Sequence, residues 1–238
     1  MASSSSAWRA TTTQLAHDLQ QVFGARLRSV VAYGAHVDGQ ADGPVTALAL
    51  VSSLTIEDLD ACASHNSRWE RQGLATPLIL PEQEFHRSLD VFPLEYGEIV
   101  RAHAHVFGAD PFQGAVIHEA DLRRACELQV KSHLVHLREG YIEARGSTKA
   151  VAHLVAAAAP AFAALLRNVG HLLGVSSKER MDATRRGAQA AGIPEAVVDA
   201  VLALEHRPTA GAVDAARLFP SYLAAIEHLA TTVDRWAE

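Results

Sequence analysis

The stretch LRSVVAYGAHVDGQADGPVTALALVSS, residues 27–53, decides how this chain is read. It opens with an apolar run, Leu27 to Tyr33, rich in Val and Leu. A turn follows at Gly34-Ala35-His36, then a loop rich in Gly and Asp from Val37 to Pro44. A second apolar run spans Val45 to Val51. Both runs are short and bounded by turn residues, which favours buried strands over helices. The connection is too short for a crossover, so the strands are expected to be antiparallel neighbours. No acidic residue lies anywhere between Val45 and Val51.

On the N-terminal side, Leu15, Leu19, Val22 and Phe23 recur at helical spacing, and Gly24 ends that helix. Residues 1–12 are rich in Ser and Thr and are expected to be a flexible tail. On the C-terminal side, Thr55 is placed to cap a helix whose first turn holds Glu57 and Asp58, and Gly73 stops it. A third strand is predicted over 76–80 and a fourth over 102–107, with short helices over 82–88 and 94–101 between them. Beyond Asp121 every segment reads as helix. Breaks fall at Gly146-Ser147, at Gly174 and Gly192, and before Pro208. Pro160 is expected to kink one of these helices. The domains expected are an α/β one over 13–118 with a small mixed sheet, and an all-α helical bundle over 119–238.

Composition narrows the function classes. The 238 residues are 49% hydrophobic and 20% charged, enough to bury a sizeable core. The formal net charge of −6 argues against general nucleic-acid binding, which needs a concentrated positive field. Cys62 and Cys126 suit neither a disulfide framework nor a metal knuckle. The start lacks the apolar core of a signal peptide. Val151 to Leu166, mostly Ala, reads as too short and too weakly apolar to span a bilayer. No membrane association and a cytoplasmic location are expected.

The order of elements resembles the nucleotidyltransferase superfamily, and in particular bacterial nucleotidyltransferase-like proteins of about this length. The resemblance rests on Ser29-Val30-Val31-Ala32-Tyr33-Gly34-Ala35, on Asp90-Val91-Phe92-Pro93-Leu94-Glu95, on Val106-Phe107-Gly108-Ala109-Asp110-Pro111, and on Pro160 to Leu173 with the final helix. It spans nearly the whole chain, although none of these motifs is specific by itself. It implies an active site in which a Gly-Ser turn holds phosphates and two Asp at i and i+2 on the second strand ligate metals. Alternate strand residues share a face, so both carboxylates would reach the same ions. Mg²⁺ would take those oxygens and the substrate phosphates, and the ions would stabilise attacking and leaving oxygens.

Carried over position by position, Gly34 matches the turn glycine and Ala35 stands where Ser is expected. Val45 and Ala47 fall where the two Asp belong, and a shift of register finds no acid. The expectation is a degenerate nucleotidyltransferase without nucleotidyl transfer and with no required cofactor. It would bind a nucleotide or small anion in an interdomain cleft through Gly34, Ala35, His36, Lys131 and Arg138. Lys131 and Arg138, two helical turns apart, share one side of their helix, and ordinary ion pairs with Glu127 and Glu139 are the plainer account of both. The alternative is an active Mg²⁺-dependent enzyme with relocated carboxylates, Asp38 or Asp42 with Asp90. Asp beside Gly in a loop is more simply turn chemistry. A third possibility is a non-enzymatic homodimer through the Ala-rich helices 149–174 and 212–236. The 13 His include the pairs His103/His105 and His133/His136, neither with a third ligand at metal-site spacing. No metal site is expected.

Overall fold

The computed structural model describes residues 2–37, 39, 43–175, 177, 179–205 and 212–236. The chain divides into two compact units, Met1–His118 and Glu119–Glu238. The first is built on a four-stranded mixed sheet and the second is helical.

The first helix, α1 (Ala2–Phe23), starts far upstream of the predicted one and takes in residues 2–12, expected as a tail. The reason is local. The hydroxyls of Thr11, Thr12 and Thr13 turn back onto carbonyls one turn earlier, which lets a polar run stay helical. Trp8 then extends the apolar face of Leu15, Leu19 and Phe23 into the core. Helix α1 is fixed to α2 (Ile56–Arg71) by buried Asp18. Its carboxylate accepts from Trp69 Nε1 at 2.9 Å and Gln14 Nε2 at 3.0 Å and meets Arg68 at 2.6 Å. Burial opposes the Asp18 charge, but these partners outweigh it and hold the carboxyl below its ordinary value.

Helix α2 begins as its sequence demands. Thr55 caps it, with Asp58 completing a capping box. Asp58 also receives both guanidinium arms of Arg26 at 2.6 Å, which draws its carboxyl down to about 2.

The strands are β1 (Leu27–Tyr33), β2 (Thr46–Val51), β3 (Leu78–Pro81) and β4 (His103–Gly108), in spatial order β3-β2-β1-β4. Strand β1 lies antiparallel to β2 and to β4, and β3 runs parallel to β2. The expected antiparallel pairing of the first two strands is present. Strand β3 begins two residues later than predicted, because Thr76 ties its hydroxyl to Asn66 of α2 instead of joining the ladder. Helices α3 (Glu82–Arg87) and α4 (Pro93–Arg101) fill the connection to β4.

Both faces of the sheet are covered. On one side Val30, Ala32, Val45, Ala47, Ala49 and Val51 share a core with α1 and α2. On the other, Val31, Leu48 and Leu50 pack with Phe85 of α3, Tyr96 and Ile99 of α4, and Phe112. Each buried Leu or Val there contributes roughly 1.5–3 kcal/mol relative to exposure.

The second unit comprises α5 (Glu119–Glu143), α6 (Thr148–Leu172), α7 (Arg180–Ala190), α8 (Glu195–Glu205) and α9 (Ala212–Asp234). Helix α6 is its axis and touches the other four. It runs unbroken through Pro160. Among the described residues it is the one helix long and apolar enough, by length and composition, to cross a membrane, which corrects the expectation that this stretch is too short. Its buried Phe162, Leu165, Leu166 and Val169 place it as the core helix of the unit. Where α6 and α7 cross, the backbones meet: a Cβ on Gly187 would lie 2.0 Å from the Leu166 carbonyl oxygen. On α5, His133 occupies a buried position between apolar turns and shares a 2.6 Å hydrogen bond with Tyr222 of α9. Burial pushes that imidazole down to about 4, with nearby His136 adding to the shift.

Candidate functional site

The turn after β1 is built by Gly34. Its φ of +81° lies in the left-handed region, and a Cβ there would come within 2.9 Å of Thr46 Oγ1. Thr46, the first residue of β2, donates its hydroxyl to the Tyr33 carbonyl at 2.6 Å and so ties the two strand ends together. The backbone then closes through Val37 N–H on the Gly34 carbonyl at 3.0 Å. Ala35 and His36 follow, both half-buried. The His36 Nε2 lies 2.8 Å from the Gly43 carbonyl, and since a carbonyl only accepts, that nitrogen carries the proton. His36 therefore closes the loop on itself. Burial raises the Tyr33 phenol above its usual range at the same strand end.

Strand β2 presents no carboxylate to either side. Val45 and Ala47, at 4% and 2% exposure, point into the core beneath α1 and α2. The opposite parity belongs to Thr46, Leu48 and Leu50, and the two leucines are packed under α3 and α4. Across β1, the neighbouring positions on β4 are His103 opposite Tyr33 and Ala104 opposite Ala32.

Of the relocated-acid candidates, Asp90 lies among the described residues. Asp38 and Asp42 lie outside the described residues. Asp90 is exposed in the turn between α3 and α4, where Val91 and Phe92 donate to the Ser88 carbonyl. Glu95 is exposed in the first turn of α4. Among the described residues, no three His, Cys, Asp or Glu side chains gather as a metal-binding group.

The two candidate cations on α5, Lys131 and Arg138, are engaged within their own unit. Lys131 meets Glu127 one turn earlier and Asp234 at the end of α9, at 2.9 Å. Hydrogen bonds from these two carboxylates raise the Lys131 pKa. Arg138 meets Glu227 of α9 at 2.7 Å. Both side chains thus cross-link α5 to α9. Glu139, expected beside Arg138, instead lies 3.3 Å from His136.

Two features of this end of the sheet escaped the sequence reading. Thr46 is the one polar residue between Val45 and Val51, and that isolation was the available signal. His103 was noted as half of an alternating pair, but its partner is Asp110, seven residues on, and not His105. His105 turns its Nε2 to the Gly108 carbonyl at 2.8 Å.

No protein-family model matches the chain, and no curated protein matches it. Among solved structures the chain is similar to the crystal structure of spectinomycin adenyltransferase AAD(9) from Enterococcus faecialis with ATP and spectinomycin. The identity is 12%, over 94% of this chain and 98% of that one, with a TM-score of 0.49. A likeness at that level says nothing about chemistry, which has to be argued from the side chains.

Proposed function

We propose that this chain is a nucleotidyltransferase-like protein that has lost nucleotidyl transfer and retains a non-catalytic role, binding a nucleotide or small anion at the turn formed by Gly34, Ala35 and His36. The observation that carries this reading is strand β2. Two-metal transfer needs at least two carboxylates converging on shared ions, and β2 offers neither an acid nor an open face to place one on. Ala35 removes the hydroxyl that a Gly-Ser turn would offer, which leaves backbone N–H groups as the donors there, with the His36 ring holding the loop through the Gly43 carbonyl. Lys131 and Arg138, already held by acids of α9, are the weaker members of the expected ligand set. A cytoplasmic location and the absence of membrane and general nucleic-acid partners complete the proposal.

Thermal denaturation with each nucleoside triphosphate, with and without Mg²⁺, tests the binding half, because a ligand bound only by the folded state raises stability by mass action. A saturable shift that Gly34→Val or His36→Ala abolishes supports it. Mass spectrometry of the same mixtures tests the other half. Metal-dependent appearance of a nucleoside monophosphate adduct would instead favour the relocated acids Asp38, Asp42 and Asp90.

A further inference from the structure

We draw no further inference here: the strongest candidate, the exposed apolar stripe of Leu128, Val135 and Ile142 along α5, carries none, because nothing in the structure shows what covers it.

Discussion

Introducing an acid on the second strand should unfold the protein rather than create an enzyme. Ala47→Asp is the direct test. Ala47 is 2% exposed, and its methyl lies in the core beneath α1 and α2. A carboxyl placed there has no cationic partner among the residues of that core, and burial of this kind raises an Asp pKa by roughly 3–5 units. At pH 7 the group must either stay protonated or ionise in an apolar site. From an unfolded value of about 3.9, the cost is about 4 kcal/mol at about 1.4 kcal/mol per pH unit. The extra volume adds about 1–3 kcal/mol of overpacking. The sum approaches the whole stability of a typical domain, about 5–15 kcal/mol. The sign follows from linkage. The folded pKa is raised, so the folded state holds a proton that the unfolded state has lost. Stability is therefore greatest below about pH 4 and falls as pH rises toward 7. Lowering the pH from 7 to 5 should recover about 3 kcal/mol. Urea unfolding followed by the fluorescence of buried Trp69 reads this, with Ala47→Asn as a control that keeps the volume and lacks the titration. An Asp variant as stable as wild type at pH 7, or one whose pH dependence matches the Asn control, would refute the placement of this face in the core.

Other expectations follow from the same packing. Gly187→Ala should destabilise the helical unit by about 1–3 kcal/mol in thermal melts. Its Cβ would lie 2.0 Å from the Leu166 carbonyl oxygen, although the same change in an open helix stabilises by about 1 kcal/mol. Trp8→Ala should cost about 3–5 kcal/mol by urea titration, the penalty of emptying a large buried site; a mobile N-terminus would make it silent. His133 gives a pH signature of the opposite kind to the engineered Asp. Its folded pKa, near 4, lies below the unfolded value, so stability is full above about pH 6.5 and falls as pH drops toward 4, by about 3 kcal/mol. His133→Gln should flatten the melting temperature between pH 7 and pH 4.5.

How much of this was readable in the sequence depended on where the deciding contact lay. The capping of α2 was legible because Thr55 and Asp58 are three residues apart and act through local backbone groups. The pairing of β1 with β2 was legible because their short connection permits little else. The N-terminal helix was missed because Ser and Thr usually favour caps and turns. Here the threonine hydroxyls satisfy themselves along the helix, and only the distant core shows what Trp8 is for. His133 was noted only as half of a possible metal pair, since its meaning depends on Tyr222, 89 residues away. At the candidate site, the absence of acids from β2 was visible in the residues themselves. The covering of both faces was not, because α3, α4 and Phe112 reach the sheet from later in the chain. Lys131 was given its near partner Glu127 by helical spacing, whereas Asp234 and the Arg138 partner Glu227 come from α9 and left no local trace.

The central claim concerns chemistry that β2 cannot support, and pyrophosphate release measures that chemistry directly. The wild-type chain, incubated with ATP, GTP, CTP or UTP and with Mg²⁺ or Mn²⁺, is expected to release pyrophosphate no faster than buffer alone across a panel of hydroxyl-bearing acceptors. Release that requires the metal, scales with protein concentration and disappears in Asp38→Asn, Asp42→Asn or Asp90→Asn would contradict the account and show that the carboxylates had moved rather than vanished.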